Sequence, residues 1–182
     1  VKKRRKEYNY DFLKRIKSKK KCKVLFDSGH GTTGIDAPEI LKKAGCEVIG
    51  KNLKPDGRFP KGTPDPTSKE FMERVKNSVI EEKTDCGLAF DGDGDRLGVV
   101  DEKGNILWND ILIAIFAKEA LERFPGAKIV YNTLCSQVVR KVIEENGGAP
   151  IIWKTGHSFI KAKIAEEGAI FGGELSGHFF FV

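Results

Sequence analysis

The 182-residue sequence predicts an α/β fold of two consecutive βαβ-type domains with mixed, mainly parallel sheets, the second of them truncated. Three observations carry this expectation. Short β-branched runs alternate with longer segments of helical period, the alternation starts afresh after Pro125, and a Gly-containing hairpin separates the two series.

Residues 1–21 come first. Tyr8, Phe12, Leu13 and Ile16 recur at helical spacing, so this segment is expected to be a basic amphipathic connector helix that packs through its apolar side. Lys23–Phe26 then reads as a strand, Ile35–Ala44 as a helix and Glu47–Ile49 as a second strand. A Pro- and Gly-rich loop, Lys54–Pro66, leads to a helix that Thr67 or Ser68 can cap and that lines Phe71, Val75 and Val79 on one face. Gly87–Phe90 is expected to be a buried strand. Leu97–Asp101 and Ile106–Trp108 form a hairpin whose turn Gly104 supplies.

Asp110 is the expected cap of the next helix, with Ile111, Leu112, Ile115 and Phe116 on its buried side and an end before Pro125. The second series is strand Lys128–Tyr131, helix Ser136–Glu145, strand Ile151–Trp153, helix Ser158–Glu167, and strands near Ala169–Phe171 and His178–Val182. The expected division is therefore 1–21, 22–108 and 109–182. Because the last residues are Phe179-Phe180-Phe181-Val182, the second domain is expected to continue past them.

Composition narrows the class. A hydrophobic content of 40% suffices for one ordinary core or two small ones. No apolar run approaches the roughly 20 residues of a membrane span, and no secretory signal opens the chain, so a soluble cytoplasmic protein is expected. The formal charge of +6 belongs to one segment: residues 1–21 hold 11 Lys or Arg against Glu7 and Asp11, while the rest holds 21 basic and 24 acidic residues. The run Lys2–Lys6 has the composition of a nucleic-acid or localisation signal, but the helical spacing of the apolar residues favours a solvated basic face, and nucleic acid is not an expected partner. Cys22, Cys46, Cys86 and Cys135 lack Cys-x-x-Cys spacing and are read as buried thiols.

The sharpest feature is Asp91-Gly92-Asp93-Gly94-Asp95-Arg96, directly after a buried strand. Glycines let the loop curl, and three carboxylates at alternate positions can converge on one hard cation that offsets their repulsion. With Glu102 at the twelfth position the pattern also approaches an EF-hand, but Arg96 stands where that motif needs Gly, and the flanks read as strands. A cation held by one loop keeps open positions, as Mg2+ does when a phosphate completes its shell, and Arg96 would serve the same phosphate. The local chemistry points to phosphoryl transfer.

With this loop, the sequence resembles the phosphohexomutases, the phosphomannomutase and phosphoglucomutase family. Asp27-Ser28-Gly29-His30-Gly31 resembles the first strand-to-helix turn of that family's second domain, and Phe59-Pro60 with Pro64-Asp65-Pro66 its proline-rich loop. Gly173-Glu174-Leu175-Ser176-Gly177-His178 resembles its sugar-binding loop. The resemblance implies that Asp91, Asp93 and Asp95 bind Mg2+, that Arg96 lies beside a phosphoserine, and that Glu174 and Ser176 bond to hydroxyls on carbons 3 and 4 of the sugar. Glucose and mannose differ only at carbon 2, so such a loop admits both.

Lys154-Thr155-Gly156-His157 resembles the loop that reads the distal end of the substrate. For His157, contact with sugar or phosphate, proton transfer and helix capping all stay open, its ordinary pKa of ~6.5 suiting either charge state. Thr155-Gly156-His157 and Gly94 lean toward the phosphomannomutase and phosphoglucomutase branch over the phosphoglucosamine branch. One departure stands out: many relatives carry a lysine in the turn after the first strand of the third domain, where this sequence reads Asn132-Thr133-Leu134-Cys135-Ser136. The implied partners are hexose phosphates and a hexose 1,6-bisphosphate. The serine loop and the first and fourth domains are expected to lie outside these residues, and this segment alone is expected to be inactive.

Two rival readings have their own signals. Gly29-His30-Gly31-Thr32-Thr33-Gly34 fits the dinucleotide pattern G-x-G-x-x-G, with Lys51 and Lys54 suited to the 2′-phosphate of NADP, though no acidic residue ends the second strand. The basic first segment could instead mark a non-catalytic binding module.

Overall fold

The computed structural model, which describes residues 2–15 and 21–182, separates between Ile106 and Leu107 into two units, each considered by itself. In the first, β1 (Lys23–Asp27), β2 (Glu47–Lys51), β3 (Cys86–Phe90), β4 (Leu97–Asp101) and β5 (Ile106–Leu107) form one sheet in the order β2-β1-β3-β4-β5. β1 is parallel to β2 and to β3, whereas β4 returns antiparallel to β3. In the second, β6 (Lys128–Asn132), β7 (Ala149–Trp153), β8 (Phe171–Gly173) and β9 (Phe179–Phe181) run in the order β7-β6-β8-β9, antiparallel only at β8 and β9. Both sheets are mixed and mainly parallel, as the alternating pattern predicts.

Helix α1 spans Lys2–Arg15, and in it Phe12 and Leu13 are half-buried. Ile16, Val1 and residues 17–20, together with the side chain of Tyr8, lie outside the described residues, so the rest of the expected connector is not described. The expected helix 35–44 divides. Thr32–Ile35 forms a 3₁₀ turn, and α2 begins only at Ala37 and ends at Lys43, with Pro38 in its first turn where a missing N–H costs nothing.

Helix α3 (Lys69–Glu82) starts at Ser68, whose hydroxyl accepts the Phe71 N–H, so Ser68 and not Thr67 is the cap. Its stripe of Phe71, Met72, Val75 and Val79 packs on Leu25, Ala89 and Val100 of one sheet face. Full burial stabilises by about 1.5–3 kcal/mol for each large apolar side chain, so this contact is a large stabilising contribution to the unit. Gly87 admits it, since a Cβ there would stand 2.5 Å from a Val79 methyl. On the opposite face Phe26 stacks on Phe90 at 5.1 Å.

The second unit has helices on both faces. Helices α4 (Asn109–Arg123) and α5 (Gln137–Glu145) share a core with Ile129, Tyr131 and Phe171, while α6 (His157–Glu167) covers Val130 and Ala169 from the other side with Ile160 and Ile164. Two details correct the expectations for α4. Its cap is Trp108, and Asp110 sits inside the first turn, where its carboxylate accepts the Ile111 N–H. Ile115 is 47% exposed, because the helix faces its sheet along Ile113, Ala117 and Leu121, a stripe of period four that leaves position 115 on the far side.

The cysteines also differ from expectation, all four being half-buried. Burial still pushes Cys86 and Cys135 up to about 12, so both remain thiols at neutral pH.

Glu167 closes α6 between two lysines, with Oε2 2.8 Å from Lys128 Nζ and Oε1 2.7 Å from Lys163 Nζ. Hydrogen bonds from Lys128 first, then Lys163, hold its carboxyl down at about 2. A depressed folded-state pKa stabilises above the ordinary carboxylate value and loses that stabilisation as pH falls. The melting-temperature advantage of wild type over Glu167→Gln is therefore expected to be full at pH 6 and to vanish between pH 4.5 and about 2. A pH-independent difference, followed by circular dichroism, would refute this assignment.

Candidate functional site

In the first unit, three stretches separated in sequence meet at the carboxyl end of the parallel strands. The turn Ser28–Gly31 follows β1 and the loop Asp91–Arg96 follows β3, its neighbour in the sheet. Hydrogen bonds from Thr32, the next residue, join them: its N–H donates to the Gly92 carbonyl at 2.9 Å, and its side-chain hydroxyl to the Asp93 carbonyl at 3.2 Å. A Cβ on Gly31 would lie 2.6 Å from the Gly92 oxygen, and one on Gly94, whose φ is +82°, would run into the Thr33 side chain. The glycines are what allow the loop to sit this close. The proline-rich loop completes the cluster through Phe59, which lies against Gly92, and Asp65.

Within the loop Asp91, Asp93 and Asp95 bring one carboxylate oxygen each to within 4.8 Å of one another. Asp91 is buried, whereas Asp93 and Asp95 are exposed. Asp91 Oδ1 accepts the N–H of Gly94 at 3.0 Å and of Arg96 at 3.1 Å, and its Oδ2 accepts Arg96 Nε at 2.7 Å. Burial alone would raise the Asp91 carboxyl. The Arg96 side chain, its backbone N–H and its charge outweigh burial and leave the pKa below the ordinary carboxylate value. Arg96 also reaches Asp65 Oδ1 at 3.2 Å, so its guanidinium is fixed at the loop's base. Each carboxylate oxygen has two lone pairs, so these bonds leave Asp91 able to accept a cation. An all-oxygen set of this size and charge fits a hard divalent ion such as Mg2+.

The same packing weighs against the dinucleotide reading. Pyrophosphate recognition needs free backbone N–H groups in the turn. Here Gly29 N–H donates to Asp27, His30 N–H to Asn52, Gly31 N–H to Ser28 and Thr32 N–H to Gly92. The glycine pattern serves the aspartate loop.

In the second unit the carboxyl ends of β6, β7 and β8 carry Asn132, the loop 154–157 and the loop 174–178. Glu174 is 1% exposed, and its Oε1 accepts the Gly156 N–H at 2.6 Å. This bond ties the Lys154–His157 loop to the Glu174–His178 loop. Gly156 has φ +128°, a conformation that favours glycine, and it precedes the first residue of α6, His157. Lys154 Nζ lies 3.9 Å over the Phe159 ring, and Thr155 Oγ1 accepts from Asn132 Nδ2 at 3.1 Å. Ser176 Oγ is 2.8 Å from His178 Nδ1, which is 3.4 Å from Glu174 Oε2.

All the sequence-predicted residues of this unit thus gather at one sheet edge, as do the predicted residues of the first unit at theirs. Sequence reasoning missed His178 as a site residue, although the loop motif runs up to it. Its ring lies 5.8 Å from that of His157 and beside Ser176. Leu134, at the departing position, is 62% exposed in the turn after β6.

Two α/β/α layers, each with polar loops at the carboxyl ends of its parallel strands, define a tandem α/β/α protein with one acidic oxygen-donor loop. The family model described as phosphoglucomutase/phosphomannomutase, alpha/beta/alpha domain II matches residues 3–104, and that for alpha/beta/alpha domain III matches residues 108–182. The chain belongs to the phosphoglucomutase/phosphomannomutase family. It is 45% identical over 162 residues to a phosphomannomutase/phosphoglucomutase of Pseudomonas syringae pv. tomato, covering 89% of this chain and 35% of that one. It is 46% identical over 175 residues to a phosphomannomutase of Methanocaldococcus jannaschii, covering 96% and 39%. A crystal structure of a phosphoglucomutase/phosphomannomutase family protein from Burkholderia thailandensis superposes with a TM-score of 0.94 at 41% identity, over 97% of this chain and 39% of that one. The chain spans between a third and two fifths of the length of these relatives. Among the described residues, no helix is long and apolar enough to cross a membrane.

Proposed function

We propose that these residues are the metal-binding and sugar-binding parts of a phosphohexomutase that moves phosphate between the 1 and 6 positions of mannose or glucose phosphate. The observation that carries the reading is the convergence of Asp91, Asp93 and Asp95 beside a fixed Arg96, in a chain of this family.

Asp91, Asp93 and Asp95 hold Mg2+, which when bound supplies positive charge against a phosphoryl group. Arg96, tethered to Asp91 and Asp65, presents its remaining N–H groups to the same phosphate. Catalysis of phosphoryl transfer rests mainly on such positioning and charge complementarity. The phosphate goes from a serine of the enzyme, outside these residues, to a free hydroxyl oxygen of the hexose monophosphate, whose proton leaves to a base. The resulting 1,6-bisphosphate returns its other phosphate to the serine after turning round. Glu174 and Ser176 hold the hydroxyls on carbons 3 and 4, and Lys154, Thr155, Gly156 and His157 the distal end of the sugar phosphate. His157 is also a candidate for moving the proton. The working compartment we assign is the cytoplasm.

The test is phosphorus NMR on the longest polypeptide that carries these residues, given mannose 1-phosphate or glucose 1-phosphate with Mg2+. Conversion to the 6-phosphate that stops on chelation and resumes on adding Mg2+ is the expected result. No conversion of either sugar phosphate would reject the reading.

A further inference from the structure

We propose that Asn109 and Asn132 are positioning residues that clamp the Leu175 peptide from both sides and so set the spacing of Glu174 and Ser176. The proposal rests on the reading of that loop as sugar-binding. Leu175 stands between the two polar side chains, and its backbone is held at both ends: its N–H donates to Asn132 Oδ1 at 3.1 Å, and its carbonyl accepts Asn109 Nδ2 at 3.0 Å. Both asparagines are buried, Asn132 fully and Asn109 at 3% exposure. A buried amide that is fully bonded is rigid, and one whose partner is lost is destabilising, so such a pair fixes geometry.

The orientation of the Asn132 amide follows from its partners. The Leu175 N–H can only donate, so the atom facing it is Oδ1, which leaves Nδ2 to meet Thr155 Oγ1. Cys135 adds its thiol to Oδ1 at 3.0 Å, and burial keeps that thiol protonated as a donor. Asn132 is thus a hub between β6 and both loops. Asn109 comes from a different element, the first residue of α4, so the loop is braced against the sheet and against a helix at once. Side chains of Glu174 and Ser176 cannot shift along the chain without breaking one of the two bonds.

The experiment compares wild type, Asn132→Leu, Asn109→Leu and Asn132→Asp in the longest polypeptide carrying these residues. Two quantities are read: backbone amide exchange at Leu175, and the KM and kcat for mannose 1-phosphate. Both leucine variants are expected to exchange about tenfold faster or more at Leu175 and to raise KM about tenfold with a smaller fall in kcat, since ångström-scale misplacement of binding groups carries costs of this order. In Asn132→Asp the side chain can still accept from the Leu175 N–H, so exchange at Leu175 should stay closer to wild type than in Asn132→Leu, although a second acid buried in this loop cluster lowers the stability of the unit. Unchanged exchange in the leucine variants would overturn the clamp. Faster exchange with unchanged KM would overturn its role in positioning. A wild type that turns over no hexose phosphate would remove the sugar-binding reading instead, leaving Leu175 exchange to decide the clamp.

Discussion

Asp93→Asn is expected to lower hexose-phosphate turnover about a thousandfold while leaving the fold intact, because it weakens the hold on the cation whose positive charge would complement the transition state, and loss of one such electrostatic stabiliser costs roughly 10²–10³ in rate. The variant removes one of three converging carboxylates, so Mg2+ affinity should fall by about two orders of magnitude, at least what is seen when an outer-shell partner is lost. Raising Mg2+ should recover part of the rate. Without metal, the melting temperature should be unchanged or higher, since Asp93 is exposed and its charge repels its two neighbours. Asp91→Asn behaves differently. Asp91 is buried and anchors Arg96, so its neutralisation leaves a guanidinium short of its partner and should destabilise the first unit by about 2 kcal/mol, the scale of a lost buried hydrogen bond to a charged group. Isothermal titration with Mg2+ and thermal melts of both variants separate the two roles. Equal losses of stability, with metal affinity unchanged, would reject the assignment of Asp93 as a ligand.

How far the sequence disclosed this arrangement depends on the range of the interaction. The aspartate loop is legible because it is contiguous: Asp91 to Arg96 follow one another, and the preceding apolar run fixes them to a strand end. Likewise the β1 and β3 runs announce themselves by apolar content, whereas the cap of α3 was narrowed only to Thr67 or Ser68, and the Phe71 N–H bond to Ser68 decides between them. What stayed hidden needed a tertiary contact to reveal it. The pattern Gly29 to Gly34 carries the dinucleotide signature in one dimension, and only the approach of Gly92 to Gly31 shows the turn to be filled from within the protein. The face of α4 was misread at Ile115 because the helix is apolar nearly all round, so that periodicity alone could not choose which stripe meets the sheet. Asn109 and Asn132 are common surface residue types in the sequence, and their burial beneath Leu175 depends on residues 43 to 66 positions away.

The loop of the second unit supplies the other large expected effect. Glu174→Ala should reduce kcat/KM at least a thousandfold, and Glu174→Gln about a hundredfold with the fold retained, the difference reflecting two separable functions of one carboxylate. Oε1 accepts the Gly156 N–H, and this bond holds the Lys154–His157 loop in place. Alanine leaves that N–H without a partner and opens a space beneath both loops, so the second unit should lose about 2–3 kcal/mol. Glutamine can keep the bond through its amide oxygen, but it presents an uncharged group that donates where Glu174 Oε2 accepts, 3.4 Å from His178. A sugar hydroxyl that donates to Glu174 then meets a donor, and His178 loses its acidic neighbour. A site built around a hydrogen bond discriminates strongly once that bond is mismatched, because the buried polar groups are left unpaired. The Gln variant should therefore melt close to wild type yet bind sugar phosphate poorly, whereas the Ala variant should fail on both counts. If Gln and Ala lost activity equally at equal stability, Glu174 would serve only to contact substrate, and the Gly156 tether would contribute nothing to the reaction.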